Sequence, residues 1–174
     1  GRAPGSVYFS DGARYAPAET RLTLRAGEER RTEVHVTNAG LKAWTGAEGF
    51  ALSYHWFEPE RRRLVDGPRT PLPRTLAHGD GAALDALVQA PPEGGCYLLV
   101  WDMVHENTTW FGGRGVAPAA VTAAVGQADE RACAAALARI DSAGDKPPAP
   151  SAAEPPPVRL GGQTGRRELG AEGV

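Results

Sequence analysis

Residues 94–111, GGCYLLVWDMVHENTTWF, place a carboxylic acid, an imidazole and large aromatic rings in one short run. Asp102, His105 and Trp110 are members of this run whose side chains could do chemistry. An imidazole beside a carboxylate can act as a general base or hold a metal ion, and an aromatic ring can stack on a sugar. Which of these is possible depends on the faces that the side chains occupy, because successive residues of a strand point to opposite faces.

The spacing of His105 and Glu106 argues against a metal site. Adjacent residues of a strand face opposite sides, so these two side chains cannot share one ion without a bulge in the strand. The sequence also contains no nucleophile elbow, no phosphate-binding loop and no zinc-ligand pattern. We therefore expect no catalytic residues, no metal and no cofactor, and we predict that the chain is not an enzyme.

A second imidazole, His55, lies in another predicted strand. If Trp56 and Trp101 point into the core, His55 and Asp102 point outward on neighbouring strands, and we expect them to meet on an exposed sheet face beside Phe57. A structural polar pair across the strands is the favoured interpretation. A polar platform that contacts a ligand comes next. A general base oriented by a carboxylate comes last, because a flat exposed sheet offers neither a nucleophile nor a pocket.

Trp110 and Phe111 precede two glycines, which predicts a loop carrying two large aromatic rings. Such rings beside polar groups suit the C–H face of a sugar, and Arg114 is a plausible polar companion if the loops converge. The alternative is that both rings fold back and close the bottom of the core. The ligand-binding residues predicted from these patterns are Trp110, Phe111, Arg69, Asp66, His55 and Asp102.

Segments of alternating apolar and polar residues recur along the chain and are typical of strands with one buried face. Turn residues separate them, and no helices recur between them, which predicts an all-β fold: an immunoglobulin-like antiparallel β-sandwich. The proline-rich segment LVDGPRTPLPRTL is expected to cross between the sheets with little regular structure. The expected strands lie in TRLTL, TEVHVT, FALSYHW, AALDALVQ, CYLLVWDMVHE and AAVTAAV. The segment GAALDALVQA could equally form a turn of helix, but a strand is preferred because the segment is short and is bounded by glycine and by Pro-Pro.

After the sandwich the pattern changes. Asp129 can cap a short helix rich in alanine, leucine and arginine, and Cys133, Leu137 and Ile140 share one side of it. This helix either docks on the sandwich or is only marginally stable alone. The predicted organisation is a flexible lead-in, the sandwich, the short helix and a disordered Pro/Gly-rich tail or linker, at 1–12, 13–126, 127–144 and 145–174.

Charge and composition exclude several classes of protein. With 19 basic and 21 acidic residues the net charge is -2, so no global field attracts nucleic acid. No apolar run is long enough for a membrane span. Because the chain begins with glycine, we expect a fragment or a processed product. The two cysteines form no metal motif, and two reduced thiols are favoured over a disulfide.

The segments VTNAGLKAW, LSYHW, DGPRTPLP and APPEGGCYLLVWDMVHENTTWF resemble, in this order, a bacterial immunoglobulin-like accessory module. This module occurs in envelope and secreted proteins, attached to glycosyltransferases or other polysaccharide-handling enzymes. The N-x-G-x-x-x-W element is also similar to the central immunoglobulin-like domain of an autophagy receptor. The resemblance covers residues 18–125, and the helix and tail match nothing in it.

The resemblance implies a non-catalytic module that binds carbohydrate or packs against a carbohydrate-active domain. Its expected partners are a polysaccharide or glycan and an attached enzymatic domain. Its expected location is extracytoplasmic, in the cell envelope or secreted. The alternative is a structural spacer or protein-interaction domain of a cell-envelope protein.

Overall fold

Two β-sheets packed face to face, with one helix on the outside, form the described part of the computed structural model, residues 11–60 and 63–142. The prediction of an immunoglobulin-like β-sandwich followed by a short helix is confirmed. A 3-10 turn, Gly112–Arg114, lies between the last two strands. In chain order the elements are β1 (Ala13–Pro17), β2 (Arg21–Leu24), β3 (Glu29–Asn38), β4 (Phe50–Phe57), β5 (Arg63–Asp66), β6 (Thr70–Pro71), β7 (Gly81–Gln89), β8 (Gly95–His105), β9 (Thr109–Trp110), β10 (Ala119–Val125) and α1 (Glu130–Ser142).

We call the sheet with strand order β1-β3-β7 sheet A, and the sheet with order β2-β10-β8-β4-β5 sheet B. Two short strands extend sheet B, β6 beside β4 and β9 beside β8. Among the described residues, β2 and β10 are the one pair of strands that runs parallel. This pair departs from the antiparallel arrangement of the other strands, because the chain passes from sheet A to sheet B after β1 and enters the edge of sheet B alongside its last strand.

Four of the strands lie where the sequence pattern predicts none. β1 contributes Tyr15 but otherwise carries few residues with a strong preference for strands. β5, β6 and β9 are two to four residues long, too short for alternation to be visible. They form because sheet B supplies a backbone edge for them, with an irregularity in the pairing of β5 between His55 and Phe57.

The core lies between the two sheets. Alternate residues of β2, β3 and β7 are buried there while their neighbours are exposed, as the alternation predicts. β4 is buried along its whole length on both faces, and β8 is buried from Tyr97 to Val104. The largest fully buried side chains are Trp44, Trp56, Trp101, Trp110, Tyr54, Phe50 and Phe111.

The turn after β3 closes one end of the core. The Asn38 amide donates to the carbonyls of Lys42 (2.9 Å) and Leu76 (2.8 Å), and its side-chain oxygen accepts from the Gly40 N–H (2.9 Å). Trp44 pairs with Leu76 through two backbone hydrogen bonds and is 0% exposed. The interpretation of this segment as a structural turn with a packing tryptophan is confirmed.

Helix α1 packs against the outer face of sheet B. Its Leu137 is buried in a cluster with Phe57, Leu98 and Val100. The Ala132 N–H donates to the Asp129 carboxylate (2.9 Å), which caps the helix as predicted. Of the two alternatives for this helix, docking is the one observed. The Ile140 side chain, which the sequence places on the same stripe, lies outside the described side chains.

A disulfide joins Cys96, at the start of β8, to Cys133, in the first turns of α1. The expectation of two reduced thiols is therefore wrong. The cysteines are separated by 37 positions, and no sequence pattern shows that α1 folds back over β8, which brings their Cα atoms to 5.2 Å. That separation is within the normal range for a disulfide.

Most of the predicted lead-in 1–12 and all of the predicted tail 145–174 lie outside the described residues, so both stay predictions. Within the described range, α1 is too short and too polar to cross a bilayer.

Candidate functional site

The centre of sheet B brings His55 and Asp102 together. β4 and β8 pair with Ser53 opposite Asp102 and His55 opposite Val100, so the two side chains lie diagonally on the outer face. His55 Nε2 is 3.1 Å from an Asp102 carboxylate oxygen. The predicted meeting of these residues is confirmed, but the predicted exposure is wrong, because both side chains are 0% exposed.

Neighbouring segments cover this face. β9 folds back beside β8 and lays the Trp110 ring against the His55 imidazole, with ring centroids 4.3 Å apart. On the other side Asp66, at the end of β5, reaches the second imidazole nitrogen, with Oδ1 2.6 Å from Nδ1. The outer face of sheet B is therefore a second buried layer, which the sequence pattern treated as solvent-facing.

The Asp102 carboxylate is held by donors from three segments. Besides His55, the Gly112 N–H donates to its two oxygens at 3.0 and 3.3 Å, and the Tyr15 hydroxyl of β1 forms a side-chain hydrogen bond with it. The Tyr15 oxygen in turn accepts from the Met103 N–H (2.8 Å). Burial, reinforced by the nearby Asp102 charge, raises the pKa of Tyr15 well above its usual value, so the phenol stays protonated and can donate.

His55 lies between two carboxylates. Burial is the largest single influence and lowers its pKa, but hydrogen bonds and charge from Asp102 and Asp66 together outweigh burial, and the net pKa is raised. Since each ring nitrogen faces a carboxylate oxygen, the ring satisfies both contacts only when both nitrogens carry hydrogen. This geometry favours an imidazolium that donates to Asp66 and Asp102.

Arg69 closes the solvent side of the cluster. Its guanidinium lies 4.7 Å from the centroid of the Trp110 ring and forms an ion pair with Glu106. It also donates to Ser53 Oγ (3.4 Å), and that hydroxyl donates to the Gly67 carbonyl (2.9 Å). Arg69 and Glu106 remain about a quarter exposed, whereas His55 is sealed beneath them.

Phe111 does not belong to this cluster. It points into the core between the sheets, where it packs edge-on against Trp44 (5.6 Å between centroids) and Phe50 (6.2 Å). Trp110 is 2% and Phe111 0% exposed. The expectation of two loop aromatics that offer a plane to a sugar is therefore wrong in its geometry. The alternative, that both rings fold back and close the bottom of the core, holds for Phe111 but not for Trp110, which is buried on the outer face of sheet B. Whether the predicted ligand-binding residues bind a ligand stays a prediction.

The outer-face cluster thus brings together five of the six predicted residues: His55 is hydrogen-bonded between Asp66 and Asp102, the Trp110 ring lies against His55, and Arg69 lies over the Trp110 ring. In the described part of the chain, no group of three or more histidine, cysteine or acidic side chains is arranged to hold a metal ion. Within this cluster a carboxylate oxygen lies within hydrogen-bond distance of each nitrogen of the His55 ring.

A second site was not predicted. Four segments meet at one end of the sandwich around an open cleft of about 420 Å³, which we call the end cleft. Arg114, expected beside Trp110, lies here instead and forms an ion pair with Asp11 (2.6 Å). The sequence gives no signal for this cleft, because its walls come from loops that are far apart along the chain. It is lined by Asp11, Gly12, Ala13, Arg14, Ala39, Leu41, His78, Arg114, Gly115, Val116 and Ala117.

No protein-family model and no curated protein matches this chain. Among solved structures, the chain is similar to the CARDB domain of a Pyrococcus furiosus protein, at 14% identity and a TM-score of 0.39 over 69% of this chain and 98% of that one. A β-glucosidase from Listeria innocua is 13% identical, with a TM-score of 0.40 over 67% of this chain and 16% of the glucosidase. A sporulation control protein from Bacillus subtilis is 12% identical, with a TM-score of 0.41 over 67% of this chain and 49% of that protein. Similarities of this size carry no information about function.

Proposed function

We propose that this chain is a non-catalytic immunoglobulin-like accessory module that packs against a partner or attached domain. One observation carries the proposal: the histidine and carboxylates best suited to acid–base catalysis, His55, Asp66 and Asp102, are bound to one another in a buried network. A general base needs an unoccupied nitrogen within reach of its substrate. His55 is 0% exposed, and a carboxylate occupies each of its nitrogens.

The disulfide supports an extracytoplasmic location, in the cell envelope or secreted. Disulfides persist in oxidising compartments and are rare in the cytosol. The bridge between Cys96 and Cys133 ties the helix that follows the sandwich to the sandwich itself. Such a covalent tie suits a small domain outside the cytoplasm.

The distribution of apolar residues favours protein packing over the alternative of carbohydrate binding. Sugar rings are recognised by exposed aromatic planes, and within 11–60 and 63–142 the exposed large apolar side chains are aliphatic: Leu41, Leu64 and Val65. Exposed aliphatic side chains can be covered by a partner protein. An attached enzymatic domain is the proposed partner, and the polysaccharide or glycan is the alternative one.

Two measurements on the oxidised chain test the proposal. Hydrolysis and transfer assays on ester and glycoside substrates should show no turnover, and the His55→Gln and Asp85→Ala variants should match the parent chain. Turnover that His55→Gln abolishes and Asp85→Ala preserves would overturn the non-catalytic assignment.

Titration calorimetry against neutral and acidic oligosaccharides tests the second part of the proposal, that the chain packs against a protein domain rather than binding carbohydrate. We expect no saturable heat, because no described tryptophan, tyrosine or phenylalanine ring is among the exposed large apolar side chains. Saturable binding that Trp110→Ala abolishes, with the fold intact by circular dichroism, would support the carbohydrate alternative.

A further inference from the structure

The end cleft is formed by four segments: the start of β1, the turn after β3, the loop before β7 and the loop before β10. Loops that cluster at one end of a sandwich are a common place for recognition. At about 420 Å³ it is large enough for one or two side chains of a partner.

Contacts between these segments fix the rim. The Gly12 carbonyl accepts from the Ala39 N–H (2.9 Å) and the Gly40 N–H (3.1 Å), and the His78 ring nitrogen Nδ1 is 2.9 Å from the Gly40 carbonyl. A Cβ added at Gly12 would lie 2.9 Å from backbone atoms of Ala39 and Gly40, so only glycine allows this approach. A rim held in this way loses little conformational freedom when a ligand binds.

The charge of the lining is positive. Arg14 and Arg114 contribute two guanidinium groups, and Asp11 contributes one carboxylate, which Arg114 already engages at 2.6 Å. The Asp11 side chain is 8% exposed, whereas that of Arg114 is 46% exposed, so the negative charge lies at the base and the positive charge faces the opening.

The remaining walls are aliphatic. Leu41, 57% exposed, and Val116 lie beside alanines, and the lining contains no described tryptophan, tyrosine or phenylalanine ring. The lining therefore combines an uncompensated positive charge with apolar contact surface. This combination suits an acidic side chain with an aliphatic stem, since guanidinium groups bind carboxylates through paired N–H donors.

We propose that the end cleft binds a glutamate side chain on an extended segment of the partner domain. This inference rests on the proposed function, since it names the group through which the partner docks. Setting His78 aside, two guanidinium groups and one carboxylate leave a single positive charge, which one carboxylate balances and a phosphate dianion would exceed. An acidic sugar lacks the aliphatic stem and would find no tryptophan, tyrosine or phenylalanine ring in the described lining to stack on.

The experiment uses the ¹⁵N-labelled oxidised chain and the peptide acetyl-Ala-Leu-Glu-Leu-Ala-amide, titrated by NMR at low salt. We expect saturable shifts at the amides of Gly12, Ala39 and Gly115, and none with the peptide in which Gln replaces Glu. Arg14→Gln should weaken binding about tenfold, the usual effect of losing one charge-assisted contact. Arg21→Gln removes the same charge from an exposed position of β2 that does not line the cleft, and should leave binding unchanged.

A second variant guards against an indirect effect of charge. Leu41→Ser alters an exposed wall residue and should weaken binding by about threefold, in line with the loss of part of one apolar contact. Equal binding of the Glu and Gln peptides, or equal weakening by Arg14→Gln and Arg21→Gln, would overturn the inference. So would tighter binding of trigalacturonate than of the peptide. None of these results creates turnover at His55, so the inference can fail while the non-catalytic assignment stands.

Discussion

The outer faces of the two sheets carry similar polar residues in different surroundings. On sheet A, Arg31 of β3 and Asp85 of β7 form an ion pair at 3.4 Å with side chains 62% and 69% exposed. On sheet B, His55 and Asp102 lie 3.1 Å apart with both side chains 0% exposed. Both are polar pairs across neighbouring antiparallel strands, and they differ in what covers them.

This difference in burial determines how much each pair contributes to the stability of the fold. An exposed pair competes with water and is worth little, whereas a buried pair leaves an uncompensated charge when one partner is removed. Covering by β9, α1 and the segment after β5 makes sheet B a central layer, whereas the outer face of sheet A remains a surface.

Removing one member of each pair should show the largest contrast. Asp102→Ala leaves His55, the Gly112 N–H and the Tyr15 hydroxyl without their shared acceptor, and should lower the free energy of unfolding by about 3–5 kcal/mol. Asp85→Ala should change it by less than about 0.5 kcal/mol. Urea unfolding followed by tryptophan fluorescence measures both. Similar losses in the two variants would refute the contrast between the faces.

Removing the disulfide tests the cover on sheet B. The double variant Cys96→Ser with Cys133→Ser opens the loop that the disulfide closes and should lower the free energy of unfolding by about 4 kcal/mol. Hydrogen exchange should accelerate in α1 and at Leu98, which the helix cluster covers, before it does at Val34 of sheet A. If hydrogen exchange accelerates equally in both sheets, α1 does not detach from sheet B independently of the rest of the fold.

The pH dependence of stability separates the two faces further. The folded pKa of His55 is raised above its unfolded value of about 6.5. The protonated ring therefore contributes stability that is fully present below pH 6.5 and is lost as the pH rises through the folded pKa. Unfolding measured from pH 6 upward should show this decline in the parent chain and in Asp85→Ala, and its absence in His55→Gln. A decline that persists in His55→Gln would assign it to another group.

The smallest effect concerns the exposed pair itself. A double-mutant cycle on Arg31 and Asp85 should give a coupling free energy of about 0.2–0.5 kcal/mol, which decreases in high salt. A coupling above about 1 kcal/mol would show that the outer face of sheet A is less open to water than its exposure indicates.

The fold was predictable because the alternation in β2, β3 and β7 reflects burial on one side only. β10 was predicted with the bounds that the structure has, and the meeting of His55 and Asp102 followed from the neighbouring positions of β4 and β8. These predictions depend on local pattern and on the strand order of one fold class.

The burial of the network was not predictable in the same way. Trp110 and Asp66 cover His55 from separate segments, and no periodicity records that β9 turns back or where β5 ends. The best signal was the apolar run from Tyr97 to Trp101 in β8, which is typical of a strand covered on both faces but is interrupted by Asp102. The disulfide and the end cleft depend on tertiary approach and left no local pattern.

The bridge between Cys96 and Cys133 also decides how the molecule responds to mechanical tension. A pull on the chain beyond Ser142 reaches Cys133 and passes through the sulfur atoms to Cys96, so residues 97–132 bear no load. If the chain is stretched from both sides, the closed loop, with most of β8 and all of β9 and β10, cannot extend. The oxidised molecule, fully drawn out, is roughly 120 Å shorter than the reduced one.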